Sequence, residues 1–157
     1  MKTDLELMND KDLRVRREVA KRIGVEHLPK MMNDKDSQIR WEVARRIGVE
    51  HLPKMMNDKD LSVRCQVAER IGSEGGAFAR EHLLKMMNDE NLNVRCQVAE
   101  RIADEGGAFA DEHLPKMMND EDFEVRREIA ERISIEHLPK MMNDKDSNVR
   151  YEVVKRI

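Results

Sequence analysis

The stretch Leu28-Pro29-Lys30-Met31-Met32-Asn33-Asp34-Lys35-Asp36-Ser37-Gln38-Ile39-Arg40-Trp41-Glu42-Val43-Ala44-Arg45-Arg46-Ile47-Gly48 decides the fold of this chain, because it recurs. Its Met-Asn-Asp segment at Met32 appears again at Met8, Met56, Met87, Met118 and Met142. The steps between successive copies are 24, 24, 31, 31 and 24 residues. A period in this range is the signature of a solenoid, in which no unit buries its apolar face alone and each completes its core on its neighbours.

Each copy reads as two helices. Leu28, Met31 and Met32 stand at i, i+3 and i+4, one apolar face of a short first helix running to about Asn33. Pro29 is tolerated near its start, where the first-turn N–H groups have no intrahelical partner. The polar turn Asn33-Asp34-Lys35-Asp36 ends it. A second helix is expected from about Ser37 to Ile47, with Ile39, Val43 and Ile47 along one side and Ala44 at the edge. Gly48 stands where a left-handed terminator would fit. The first unit opens with Thr3-Asp4-Leu5-Glu6, which matches a capping box.

The longer steps come from seven extra residues, Gly75-Gly76-Ala77-Phe78-Ala79-Arg80-Glu81 and Gly106-Gly107-Ala108-Phe109-Ala110-Asp111-Glu112. Seven residues are nearly two α-helical turns, so a helix lengthened by them keeps its apolar face on the core. The helix ending near Asn88 is therefore expected to be about two turns longer than its short counterparts, and unbroken because Leu84 replaces proline. Pro115, in the equivalent segment, is expected to kink or restart the helix.

The pattern Asp-x-x-x-x-Val-Arg-x-x-Val-Ala-x-x-Ile resembles a HEAT-type repeat of the bacterial HEAT-like kind. The 24-residue units, with their short proline-led first helix, resemble the leucine-rich repeat variant, whose short segment can be 3₁₀. The resemblance covers essentially the whole chain. It implies an all-α, right-handed solenoid (a superhelix) of six two-helix repeats in a single domain over residues 1–157. The units would run at about 4–27, 28–51, 52–82, 83–113, 114–137 and 138–157. It also implies a ladder between neighbouring units made by a turn Asp and a second-helix Arg. The matching positions are Asp10 and Arg16, Asp34 and Arg40, Asp58 and Arg64, Asp89 and Arg95, Asp120 and Arg126, and Asp144 and Arg150. A second recurring arginine (Arg22, Arg46, Arg70, Arg101, Arg132, Arg156) follows Glu or Gln by four and suits the negative end of the helix dipole. The variant's iron–sulfur precedent needs clustered cysteines. Here only Cys65 and Cys96 are present, so that function does not carry over.

Composition narrows the function classes. Charged residues make up 39% of the chain and aromatics 3%, and the net charge is −3 with acids and bases interleaved. That mixture argues against a polyanion-binding arm. No apolar run is long enough for a membrane span. Five histidines share one repeat position, His27, His51, His82, His113 and His137. Helices stacked roughly 8–10 Å apart could hardly bring neighbouring copies to bonds of about 2.1 Å around one ion, so a local polar contact is expected instead. Cys65 and Cys96 are expected to be reduced thiols of a cytoplasmic chain. The Met-Met pairs read as core filling. The double glycines lack the Lys-Ser/Thr or strand context of a phosphate loop. The sequence shows no enzyme signature and implies no cofactor.

The six copies differ most at positions 38, 41, 42 and 45 and their equivalents, which share one helical face away from Ile39, Val43 and Ile47. In HEAT-like stacks the second helices usually line the concave side. The expectation is a protein-binding scaffold that uses this face, with Arg14, Arg17, Gln38, Trp41, Arg45, Cys65, Cys96, Arg127, Tyr151 and Lys155 as candidate contacts. Two other functions fit the resemblance. One is an accessory subunit self-associating end to end through Val149, Val153 and Ile157. The other is an enzyme of the HEAT-like lyase or DNA-glycosylase sort.

Overall fold

The computed structural model describes residues 3–157, and those residues form nine α-helices and three 3₁₀ segments with no strand. The helices are α1 (Asp4–Leu7), α2 (Leu13–Arg22), α3 (Ser37–Arg46), α4 (Leu61–Glu74), α5 (Gly76–Met86), α6 (Leu92–Glu105), α7 (Gly107–Met117), α8 (Phe123–Arg132) and α9 (Ser147–Arg156). The 3₁₀ segments are Val25–Met31, Val49–Met55 and Ile135–Met141. The chain falls into two compact units, residues 1–70 and 71–157, divided within α4.

In the first unit α1 packs on α2 and α2 on α3, which also meets the 3₁₀ segment Val25–Met31. In the second, α6 packs on α8 and α8 on α9, with α5 and α7 against α6. The core is repeated rather than gathered in one place. Ile39, Val43, Ala44 and Ile47 are fully buried, as are Val94, Val98, Ala99 and Ile102. Ala44 therefore lies inside the core and not at its edge. The first Met of each pair (Met31, Met55, Met86, Met117, Met141) is buried. The second ranges from buried in Met56 through half-buried in Met32, Met87 and Met118 to 43% exposed in Met142.

Each second helix is started by an Asp or Asn that the polar turn supplies. Asp36 accepts hydrogen bonds from the N–H groups of Gln38 and Ile39, satisfying donors left open at the helix start. Asp12, Asn91, Asp122 and Asp146 do the same for their helices. The expected capping box is present, with Thr3 and Glu6 exchanging side-chain and backbone hydrogen bonds.

Three sequence expectations need correction. First, the short helices do not end on a left-handed glycine. Gly48 has φ −58 and ψ 142, and Gly24 has φ −57 and ψ 143. Ser134 holds the same geometry at φ −59 and ψ 146, so this corner accepts a side chain. Second, the seven extra residues do not form two added turns on one helix. Fourteen-residue α4 and α6 exceed ten-residue α3 by about one turn. Eleven-residue α5 and α7 exceed the seven-residue 3₁₀ segments by about another. The double glycine between them sets the division. Gly75 at φ 72, ψ −177 and Gly106 at φ 65, ψ −171 occupy backbone space that is essentially closed to other residues, so the chain turns there. Third, one continuous helix, α7, runs through Pro115. The proline is the ninth of eleven residues, so only the last turn is affected. That turn tightens, with the Met118 N–H donating to the Pro115 carbonyl at 3.4 Å. α5, with Leu84 at the matching place, has the same length.

A paired substitution checks this account of the glycines. Gly106→Ala is expected to destabilise the protein by about 2 kcal/mol in urea denaturation, because it forces a side chain into glycine-only backbone space. Gly48→Ser should change stability by less than about 0.5 kcal/mol, since only the flexible end of Glu50 crowds that position.

The short first helices are 3₁₀ in all three 24-residue-type connections, as the sequence allowed, but they start three residues earlier than expected, at Val25 rather than Leu28. Proline alone does not set their form, because α7 is α-helical with proline in the same motif. The difference is the residues ahead of it. In the short units Pro29 falls fifth of seven, too early for a regular α-helical ladder to form before it.

Candidate functional site

The ladder that joins repeats is built from charges, and its pairing runs one unit further than the sequence motif shows. Arg16 donates from Nε and Nη2 to the Asp34 carboxylate at 2.8 and 3.2 Å, while Nη1 donates to the backbone carbonyl of its own unit's Asp10 at 2.9 Å. Arg40 pairs the same way with Asp58, Arg95 with Asp120 and Arg126 with Asp144. Each Asp also receives the N–H two residues on, as from Asp36 to Asp34 at 2.9 Å, which fixes the turn that leads into the capped helix. Burial would raise the Asp34 carboxyl. The Arg16 hydrogen bonds and the Asp36 N–H outweigh it and hold that carboxyl below the usual carboxylate range.

The second recurring arginine has a different task in the two kinds of unit. Arg46 donates to the carbonyls of Ala20 and Ile23, Arg70 to those of Ala44, Arg45 and Ile47, and Arg156 to that of Ala130. These carbonyls lie at the ends of ten-residue helices and have no helical donor. α6 continues for another turn, so its Ala99 carbonyl is used within the helix. Arg132, which follows it, pairs with Glu128 and Glu100 instead. Arg16, Arg40, Arg95 and Arg126 and the carbonyl-capping Arg46, Arg70 and Arg156 are thus committed to repeat stacking, while Arg22, Arg101 and Arg132 are engaged in ion pairs with Asp4, Asp104 and Glu128.

The histidines make local contacts. His27, His51 and His137 approach the preceding Glu at 3.4 to 3.5 Å. His82 contacts the Phe78 carbonyl at 2.8 Å, and its ring meets that of Phe78 with centroids 4.4 Å apart. Phe109 and His113 repeat the ring pair at 4.7 Å, with the Arg80 guanidinium over Phe109. Among the described residues, no group of three His, Cys, Asp or Glu side chains is placed to hold a metal ion. No helix among them is long and apolar enough to cross a membrane.

The candidate contacts of the variable face fall in both units. In the first, Arg14, Arg17, Gln38 and Arg45 are exposed, Trp41 is 37% exposed and Cys65 is half-buried. Arg17, Gln38 and Trp41 come together around a hollow of about 340 Å³, which Ser37, Glu42, Asp60 and Ser62 complete. Arg14 is drawn away by Asp12 at 2.6 Å, and Arg45 is paired with Glu42. The face is not uniformly open, however. Glu42 and Gln66 belong to it by spacing yet are buried at 6% and 8% exposure.

Asp60 is the residue of this hollow that sequence spacing missed. It caps α4 through the Ser62 N–H at 2.9 Å. The Ser37 hydroxyl is the main influence on its carboxyl, holding it low against a smaller effect of burial. The signal was the Asp-before-helix pattern, which puts a carboxylate at the mouth of the next groove.

In the second unit, Tyr151 is 66% exposed and Lys155 is exposed and paired with Glu152 at 3.1 Å. Arg127 is half-buried beside Glu131 at 3.5 Å. Cys96 is half-buried, and burial together with the nearby Glu128 and Glu124 carboxylates pushes its thiol up to about 12. It stays protonated at neutral pH and presents a small, weakly polar surface rather than a nucleophile. Neither cysteine is in a disulfide. The apolar end expected of the last repeat is met only in part. Ile157 is exposed as expected, but Val149 and Val153 are fully buried, and Val154 is exposed instead.

Buried repeat arginines, capped ten-residue helices and a regularly repeated Val/Ile/Ala core are the internal architecture of one repeat class. Residues 49–134 match the family model for HEAT repeats. The chain belongs to the HEAT-repeat family. Its fold is that of an all-helical repeat solenoid. The structure of a leucine-rich repeat variant is similar over 96% of this chain, with 35% sequence identity and a TM-score of 0.83. This HEAT-repeat chain spans 58% of the length of that protein. An engineered protein is similar in fold, with 20% identity over 97% of this chain and 92% of its own and a TM-score of 0.60. The YibA protein of Escherichia coli is too, with 21% identity over 96% of this chain and 67% of its own and a TM-score of 0.66. Among curated proteins, none matches.

Proposed function

We propose that this HEAT-repeat chain is a non-catalytic scaffold that binds a protein partner with the face formed by its second helices. One observation carries the reading. The chain's single Trp and single Tyr occupy the same repeat position, and Trp41 and Tyr151 are both exposed although the rest of the repeat core is buried. Large aromatic side chains left in water are the usual anchors of an interface, especially beside arginine. The repeat arginines and turn aspartates are used internally, so what varies between copies is free to serve recognition. The family relationship supports the same reading, because solenoids present extended surfaces to partners.

The test is affinity purification from the source cells, followed by the triple variant Trp41→Ala, Arg127→Ala, Tyr151→Ala. The variant should lose the captured partner by at least tenfold while keeping wild-type helical circular dichroism. A triple variant of exposed lysines in the 3₁₀ segments, Lys30→Ala, Lys54→Ala and Lys140→Ala, should retain it. Partner capture unchanged by the first set would overturn the reading.

A further inference from the structure

The hollow around Trp41 has a chemical bias that selects a partner class, and this inference rests on the scaffold reading above. Its charged groups are already committed, with one exception. Glu42 is paired with Arg45, and Asp60 takes the Ser37 hydroxyl and the Ser62 N–H. Nearby, Arg14 is held by Asp12 and Lys21 by Glu18. Arg17 stands exposed on the rim, and no carboxylate among the described residues lies within ion-pair distance of it. Beside it are the exposed Gln38 amide and the Trp41 ring, which line the same space.

From this geometry we infer that the Trp41 hollow is a docking site for a peptide segment that carries a carboxylate side chain next to an apolar one. The carboxylate pairs with the uncommitted Arg17 guanidinium, whose planar fork donates two parallel hydrogen bonds. The apolar neighbour covers the Trp41 ring. The Gln38 amide can both donate and accept, which suits the main chain of an extended segment. The volume, about 340 Å³, is at the small end of the range for ligand pockets and fits a short peptide contact rather than a large cofactor. Polyanions are disfavoured at this place. Glu42 and Asp60 line the same hollow as its one uncommitted cation, and each further phosphate would meet a carboxylate instead of a second arginine.

Selection of random twelve-residue peptides displayed on phage against the full chain tests the inference. Recovered peptides are then synthesised and titrated while the emission of Trp41, the only tryptophan, is followed. Enriched peptides should share an Asp or Glu adjacent to an apolar residue and should shift Trp41 emission. They should bind Arg17→Ala at least tenfold more weakly, and Arg17→Glu should prefer the same peptides with Lys in place of the acid. Acidic peptides that bind without moving Trp41 emission or responding to Arg17→Ala would overturn the docking site and leave the scaffold reading standing. An absence of any enriched peptide would overturn both. Tighter binding of a single-stranded oligonucleotide than of every recovered peptide, again dependent on Arg17, would replace the carboxylate with a phosphate and overturn the inference.

Discussion

Arg126→Ala is expected to destabilise the second unit by about 3 kcal/mol, read as a lower urea midpoint of helical circular dichroism. Arg126 and Asp144 are buried side chains, 4% and 10% exposed, joined through Nε and Nη2. Removing the guanidinium leaves the Asp144 carboxylate without its strongest partner. It also frees the carbonyls of Asp120 and Glu121, which Arg126 ties at 2.7 and 3.1 Å. Arg126→Met combined with Asp144→Leu should be milder than the single alanine, because two apolar groups leave no unpaired buried charge. Acid should distinguish the variants further. Burial raises the Asp144 carboxyl, but the Arg126 pair and the Asp146 N–H lower it more, so its folded value lies below the ordinary one. A depressed carboxylate stabilises the fold fully above about pH 4, and that contribution is lost as the pH falls through the folded-state value. Wild-type protein should therefore lose more stability between neutral pH and about pH 3 than Arg126→Ala does. Equal losses would refute the assignment.

Leu52→Ala should cost the first unit about 3 kcal/mol. Leu52 is fully buried within a 3₁₀ segment, where its side chain is the main apolar contribution of that half-repeat, together with Met55. Truncation removes three carbons and leaves a cavity that a rigid Pro-containing turn collapses poorly. Trp41 lies in the same unit, so its fluorescence during urea denaturation reports the change directly. Ile135→Ala, at a 63% exposed position of the equivalent segment, is the contrast and should alter stability by less than about 0.5 kcal/mol. A cost at Ile135 like that at Leu52 would mean that the 3₁₀ segments are held by something other than the inward leucine.

Much of this was legible because repetition multiplies weak signals. One Ile39-Val43-Ile47 stripe is an ordinary amphipathic pattern, but six copies identify the core positions and the repeat class. The recurring Asp and Arg were recognisable as a ladder for the same reason. Their partners were not. Asp10 and Arg16 are six residues apart and look paired, yet Arg16 reaches the Asp34 side chain and gives Asp10 only a backbone contact. Which Asp an Arg meets depends on how successive turns stack, and spacing along one copy carries no information about that. The candidate site shows the same division. Arg17, Gln38 and Trp41 were named from variation between copies. Ser62, the equivalent of Gln38, belongs to the same varying positions; Ser37 and Asp60 do not, because they join the hollow only when the start of one helix lies beside the middle of another.

The sequence by itself determined the repeat, the helical class, the inward stripe and the residues that begin each second helix, since all of these depend on periodicities and caps within about twenty residues. Tertiary structure decided how the seven inserted residues are shared between two helices, because Gly75 and Gly106 can hold backbone conformations that no periodicity encodes. It also decided that Pro115 ends no helix, that Glu42 and Gln66 are covered while Trp41 remains open, and that Arg46, Arg70 and Arg156 close the carbonyl ends of the helices before them. Each of these turns on what lies across the stack, and packing between repeats has no local signature in a chain whose copies are nearly the same.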